Sequence, residues 1–397
     1  MLIGALALSA TLFAQPSGAP QEPKSPDYQF TTVKENPITS IKNQFRSGTC
    51  WCFSSLSFVE SELLFSQGKE YDLSEMWVVS HAYSDRATKY VRMDGHIGFS
   101  AGSGFGDVFA VIDKYGIVPQ SVYSGMQYGT SLPEQAELDA VLKGYVDAVA
   151  HSRGKSGLTT AWKKGFDAVL QAYMGEWPQQ FEEGTPLSYR DKVLKFNTAD
   201  YVNFCSFAAE PWEKWCDIEV CDNWRGNKGY NVPMDEMLKI MYRALDEGYT
   251  ILWGGDVSEE GFSRKEGVAT LPVKKDKKEA GSDELRWGGK DDVAPAKDAP
   301  KEDEIAEIPE EMEVSDAIRQ DWYDRKLTTD DHGMHIFGYA TDKNGTKYFL
   351  VKNSWGDSGK YHGVWYMSER FIAGKTLNFV VNRKALDKSL QKKVADK

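Results

Sequence analysis

The sequence predicts an α+β fold with a mainly helical first part and a β-rich last third. Three observations carry that expectation. Cys52, Leu56, Val59 and Leu63 recur at steps of four, three and four, the spacing of one helical face. Thr250 to Asp256 reads as a short buried strand ending in a Gly-Gly turn. Ile336 to Thr341 and Lys347 to Lys352 are apolar runs separated by Asp342-Lys-Asn-Gly345, and Asn-Gly tolerates the positive φ that hairpin turns demand.

Composition bounds the rest. The chain has 397 residues, 41% hydrophobic and 13% aromatic, enough apolar surface to bury a sizeable core. With 59 acidic against 47 basic side chains the formal net charge is -12, which repels a phosphate backbone, and no basic patch or nucleic-acid motif offsets it. Leu2 to Ala14 is a short apolar run ending in small residues, which reads as a signal peptide spanning residues 1–14. The expectation is therefore export, to the periplasm, or a cytoplasmic location if that run is not a working signal. No later segment approaches the roughly 20 apolar residues of a spanning helix, and no cysteine follows the cleavage site to take a lipid, so no membrane anchor is expected.

Along the chain, residues 15–39 form a polar lead-in. A helix runs from Cys50 to Gln67, with Cys50 about 200° round from Cys52 and so off its buried stripe. A glycine-rich loop spans Gly95 to Gly106, a helix follows from Asp107 to Tyr115, and the region to about Asp235 reads as helical with few strand signals. Residues 40–249 are thus expected to form one mainly helical lobe with insertions. Residues 250–384 form a β-rich lobe, with a further strand at Val364 to Met367 and an acidic insert at 274–311 dense in Lys, Asp, Glu, Ala and Pro. A charged tail, 385–397, follows, and no internal repeat is visible.

Three side chains have complementary chemistry. Folding the hairpin about Asn344-Gly345 brings the segment just after His332 beside Asn353. A cysteine nucleophile needs a thiolate, an imidazole to move the proton, and a neutral group to orient the imidazole. Cys50, His332 and Asn353 supply these. A thiol in the first turn of a helix feels the positive end of the macrodipole, and a nearby imidazolium lowers its pKa further. Gln44, six residues before Cys50, can add a side-chain amide to the backbone N–H of Cys50 as donors to an oxyanion.

These segments resemble a known family. Gln44-Phe-Arg-Ser-Gly-Thr-Cys50-Trp-Cys-Phe-Ser is similar to the nucleophile segment of papain-like cysteine peptidases. Asp331-His332-Gly-Met-His-Ile-Phe-Gly-Tyr resembles their histidine segment and Asn353-Ser-Trp-Gly356 their asparagine segment, in the same chain order. The resemblance implies a papain-like two-lobe fold, a helical lobe facing a β-barrel-like lobe, with peptide substrates in the cleft and no cofactor or metal. It implies that Trp355 shields the histidine–asparagine bond and that Gly102, Ser103 and Gly104 form a cleft wall that binds peptide. Ser47 stands where papain's own branch carries a further cysteine, Cys50 and His332 are 282 positions apart, and Trp-Gly-Gly-Asp256-Val precedes the acidic insert. These features resemble the bleomycin hydrolase and aminopeptidase C branch. That branch implies aminopeptidase action, a C-terminal arm in the cleft whose carboxylate receives the substrate amine, and a homohexamer. Papain-like endopeptidase action is the alternative.

Rival readings use other residues. Gly98-Phe-Ser100-Ala-Gly102 matches the G-x-S-x-G elbow of serine hydrolases, but no buried strand precedes Ser100, and glycines break up the stretch after it. His335 lies three residues from His332, near a strand start, and is read as structural. Five cysteines leave at least one free thiol in an exported chain; Cys216 and Cys221 are candidates for a short disulfide and Cys205 for burial or pairing. A non-catalytic peptide-binding module needs one essential residue to be missing, and none is.

Overall fold

A computed structural model of the chain describes residues 25–152, 154–273 and 307–395. The run 1–14 read as a signal, the start of the lead-in, most of the insert 274–311 and the last two tail residues lie outside the described residues. Every element below belongs to one compact unit, residues 29–273 and 310–397; the second unit, residues 1–28 and 274–309, consists almost wholly of residues outside the description.

Strand β1 (Thr31–Glu35) precedes the long helix α1 (Cys50–Gln67). Helices α2 (Glu75–Arg92) and α3 (Phe105–Tyr115) pack on α1, and α4 (Ala136–Ala150) and α5 (Ala161–Met174) pack on α2. Their shared core includes Leu56, Phe58, Val78, Val108, Leu142 and Phe166. The expected stripe of Cys52, Leu56, Val59 and Leu63 is buried, but every residue from Trp51 to Leu63 is buried with it. The reason is that α1 is covered by helices on one side and by the sheet on the other. Its polar side chains are therefore partnered inside the protein: Glu60 accepts from the Thr39 hydroxyl at 2.7 Å and the Leu73 N–H at 2.9 Å, and Glu62 accepts from the Asn382 amide at 2.8 Å.

The remaining elements are β2 (Tyr201–Cys205), β3 (Lys214–Asp217), β4 (Lys228–Asn231), α6 (Met234–Asp246), β5 (Ile251–Gly255), β6 (Phe262–Ser263), β7 (Val268–Ala269) and α7 (Asp316–Asp324). After them come β8 (His332–Thr341), β9 (Lys347–Lys352), β10 (Val364–Ser368), α8 (Glu369–Lys375), β11 (Thr376–Asn382) and α9 (Lys388–Lys393). The strands form one sheet in the order β3-β4-β2-β11-β5-β8-β9-β10-β7-β6, with β1 added beside the second half of β8.

Two expectations are corrected here. The β-rich part is an open sheet rather than a barrel-like lobe, because the order ends on β3 and β6 and the two-residue strands β6 and β7 cannot carry a closing ladder. Residues 40–249 are not uniformly helical, since β2, β3 and β4 fall inside them and join the later sheet, with Phe204 opposite Phe379. These strands are only four or five residues long, too short to mark a periodicity, and they join the later sheet through β2 alone, which pairs with β11.

The hairpin forms as the sequence predicts, with Gly345 at φ 82° and the Asp342 carboxylate accepting from the Asn344 and Thr346 N–H groups at 2.8 and 2.9 Å. The tail packs inward: Leu386, Leu390 and Val394 are buried in the core that includes Met237 and Met241 of α6. All five cysteines are free thiols. Cys216 points inward to Cys205, with sulfurs 3.4 Å apart, while Cys221 is exposed, so the expected Cys216–Cys221 disulfide is not formed. Cys205 and Cys216 lie on β2 and β3, with β4 between them. Two strand spacings are about 9–10 Å, beyond the Cα separation of an ordinary disulfide.

Burial also places an acid under strain. Glu75, 4% exposed in the first turn of α2, has its carboxyl pushed up to about 8 by burial, against the opposing pull of the Lys42 ammonium. The folded protein then holds a proton that the unfolded chain releases between about pH 4.5 and 8, so this group lowers stability as pH rises through that window. Glu75→Gln is expected to gain stability relative to wild type, on the order of a few kcal/mol, between pH 5 and pH 8.5. Urea denaturation at the two pH values measures it; an unchanged difference contradicts it.

Candidate active site

The first turn of α1 and the first residues of β8 meet at Gly333. A Cβ built there lies 2.7 Å from the Ser54 hydroxyl and 3.1 Å from the Phe105 ring, so only glycine allows the strand this close to the helix. The contact brings His332 and Cys50 to one cavity of about 360 Å³. Gln44 and Trp355 also line it, and Gly102, Ser103 and Gly104 form part of its wall. Asn353 lies behind His332, buried at 2% exposure.

Cys50 is the first residue of α1 and is half-buried, with no acidic side chain in that turn to oppose the helix dipole. Burial pushes its thiol up to about 12, with further upward pressure from the Asp330 and Asp222 carboxylates. Hydrogen bonds from the Gly333 and Trp51 backbone N–H groups act the other way, stabilising the sulfur anion. Burial likewise drives the His332 imidazole down to about 4, opposed by its bond to Asn353 and assisted by the Arg264 guanidinium.

Each of these directions describes one group ionising alone. A proton moved from the thiol to the imidazole creates both charges together in one cavity, where their attraction opposes the burial that disfavours each singly.

The proton positions follow from Asn353. Its Oδ1 accepts from the Ser354 N–H at 2.8 Å and lies 2.9 Å from His332 Nε2. A carboxamide oxygen only accepts, so Nε2 carries the hydrogen and Nδ1 keeps a lone pair. The Trp355 ring lies 4.9 Å from the imidazole, tilted by 32°, and so covers this bond; the Arg264 guanidinium stacks over Trp355 at 4.4 Å.

Gln44 is tied to the same segment. Its backbone N–H donates to the Ser354 carbonyl at 2.8 Å, its Oε1 accepts from the Ser354 hydroxyl at 2.6 Å, and its Nε2 donates to the Ser47 carbonyl at 2.8 Å. With one hydrogen of Nε2 used, the second is available at the cavity, where Gln44 lines the wall. This pairing of residues 42–44 with 353–356 was not legible in the sequence, because both stretches are too short to signal a strand.

The cavity wall is more committed than the sequence suggested. The Ser103 hydroxyl donates to Asp107 at 2.6 Å and accepts from the Trp224 indole at 2.8 Å, leaving backbone rather than side chain to face a ligand. A Cβ at Gly102 lies 1.9 Å from an Asp222 oxygen, so glycine is needed for that carboxylate to reach the cavity. Asp222 and Asp330, both cavity residues, were missed, because they reach it from separate loops with no local pattern; Asp331 of the histidine segment lines it as well. Asp331 clasps the neighbouring turn, accepting from the Val257 N–H at 2.9 Å and the Ser258 N–H at 3.1 Å, which fixes the backbone just before His332.

The rival residues sit elsewhere. Ser100 is exposed on a loop and donates to Asp222 at 3.3 Å, with no strand leading into it. His335 is fully buried beneath α1, its Nδ1 2.9 Å from the Ser57 hydroxyl. Among the described residues no group of three or more His, Cys, Asp or Glu side chains could hold a metal ion, and no helix is long and apolar enough to cross a membrane.

Comparison with known proteins decides the family. The family model described as papain family cysteine protease matches residues 23–157 and 312–376, half of the chain. The chain belongs to the papain family of cysteine proteases. Two papain-family relatives are aminopeptidase C of Lactococcus lactis subsp. cremoris, 25% identical over 91% of this chain and 84% of its own length, and mitochondrial cysteine proteinase 1 of Saccharomyces cerevisiae, 21% identical over 92% and 79%. The crystal structure of PepW from Lactobacillus rhamnosis shares the fold, with a TM-score of 0.66 at 19% identity over 92% of this chain and 85% of that one. The papain fold is thus present with insertions and an open sheet.

Gly333→Ala tests the helix–strand contact. The added methyl is expected to cost about 1–3 kcal/mol and to lower kcat/KM for peptide hydrolysis at least tenfold. Urea denaturation and peptidase assays read the two effects; full activity contradicts the stated role of the contact.

Proposed function

We propose that the chain is a cysteine-type aminopeptidase acting on peptides, with Cys50 as nucleophile, His332 as its base and acid, and Asn353 orienting the imidazole. The observation that carries this reading is the 2.9 Å bond from His332 Nε2 to Asn353 Oδ1, beside a cavity that also holds a cysteine at a helix N-terminus. Relatives that are themselves aminopeptidases, over nine-tenths of this chain, favour the exopeptidase form.

In the proposed reaction the Cys50 proton passes to His332 Nδ1 as sulfur attacks the peptide carbonyl. The resulting oxyanion takes hydrogen bonds from the Cys50 N–H and the free hydrogen of Gln44 Nε2. Collapse breaks the C–N bond, His332 returns its proton to the leaving amine, and a thioester remains on Cys50. Water attacks the thioester as His332 takes its proton, and the acid and the thiol are released.

Endopeptidase action is the second reading. It is favoured by the tail, since no residue of 385–395 lines the cavity and Val394 is fully buried, contrary to the cleft-bound arm that the branch implies.

Product analysis with matched free and N-acetylated peptides separates the two. Stepwise release from the free amine and no cleavage of the acetylated peptide are expected; efficient cleavage of the acetylated peptide contradicts the aminopeptidase reading. Cys50→Ala is expected to abolish turnover, by about 10³-fold or more, with the unfolding midpoint unchanged. Undiminished turnover excludes the mechanism.

A further inference from the structure

The cavity is electrostatically one-sided. Asp222, Asp330 and Asp331 line it and, among the described residues, no lysine or arginine does. Asp331 is engaged by the Val257 and Ser258 N–H groups, and Asp222 by the Ser100 hydroxyl and, more loosely at 3.8 Å, by the Arg86 guanidinium behind the Gly102 wall. Asp330 is exposed and has no hydrogen-bond or ion-pair partner among the described residues.

Both Asp330 and Asp222 act on the Cys50 sulfur in the direction that disfavours its anion. A nucleophilic thiolate gains nothing from two negative neighbours, one of them unpaired, unless a cation arrives with the substrate and offsets them. A peptide brings one such cation, the α-ammonium of its first residue, and it sits next to the bond an aminopeptidase cuts. The described tail residues do not line the cavity, whereas the carboxylates of its wall do.

We propose that Asp330 and Asp222 receive the α-ammonium of the peptide's first residue and set that residue's carbonyl against Cys50. The proposal rests on the aminopeptidase reading and names the group that confers it. Binding of the ammonium also removes the charge that opposes the thiolate, so a substrate with a free amine assists its own attack, and a blocked one leaves the sulfur protonated. Asp330 is therefore a specificity-determining residue.

The pairing carries a pH signature. Burial, with Asp222 and Asp331 adding to it, raises the Asp330 carboxyl to about 7. The other groups near it are the Asp331 carboxyl, which burial raises to about 6, and the Cys50 thiol and the Tyr323 hydroxyl of α7, both neutral in this range. Below about pH 7 Asp330 takes up a proton and the receptor weakens; above about pH 8 the substrate amine loses its own.

The test compares wild type, Asp330→Asn, Asp222→Asn and Asp330→Glu on one fluorogenic dipeptide amide, free and N-acetylated. Wild type is expected to prefer the free amine strongly, with KM rising as pH falls from 7.5 to 5.5. Asp330→Asn is expected to raise KM for the free amine at least tenfold, to abolish that pH dependence, and to leave the acetylated substrate no worse. Asp222→Asn is expected to do so more weakly, and Asp330→Glu to restore part of the preference. Equal loss on both substrates marks Asp330 as merely structural and overturns the proposal. So does a preference for the free amine that survives both asparagine variants. A wild type that cleaves both substrates equally refutes the aminopeptidase reading, and this inference with it.

Discussion

The close approach of helix α1 to strand β8 at Gly333 is the contact on which the site depends. Cys50 enters the chain near its start and His332 near its end, so nothing local brings them together. What does so is a helix buried on all sides whose first turn abuts the first residues of the sheet's longest strand. The absence of a side chain at residue 333 removes the atom that would hold them apart, and it puts the Gly333 N–H on the sulfur.

Around that contact the protein balances two opposing demands. Burial excludes water and sharpens every electrostatic interaction, but it also disfavours both the thiolate and the imidazolium when each forms alone. The fold offsets this with fixed dipoles: the α1 N-terminus, two backbone N–H groups at the sulfur, and an asparagine oxygen at the imidazole. Asn353 is itself fixed, because Ser354 donates to its oxygen and the Ser354 hydroxyl ties the same turn to Gln44. The helix of Cys50, the strand of His332 and the Gln44 segment thus form one hydrogen-bonded unit.

The chemistry was legible in the sequence where it was local. The Asn344-Gly345 turn announces the hairpin, and the hairpin sets Asn353 beside His332 through the pairing of Lys352 with His335. Strand β5 and helices α1 and α3 were readable for the same reason, since the apolar run of β5 and the apolar spacings in the two helices lie within each segment. What stayed hidden was non-local. Strands β2, β3 and β4 are too short to show a pattern, only β2 reaches the later strand β11 that ties them to the rest of the sheet, and the sheet's failure to close depends on the shortness of β6 and β7. Likewise Asp222 and Asp330 reach the cavity from separate loops, a convergence that only the folded chain creates.

The proposed mechanism requires proton exchange between the Cys50 sulfur and the His332 imidazole, and the alkylation of Cys50 by iodoacetamide across pH reads it directly. In a Cys221→Ser background, which removes the exposed thiol, the account predicts that Cys50 reacts from about pH 5 upward and that His332→Ala shifts this onset by several pH units, toward an isolated buried thiol. Superimposable profiles for the two proteins would contradict it.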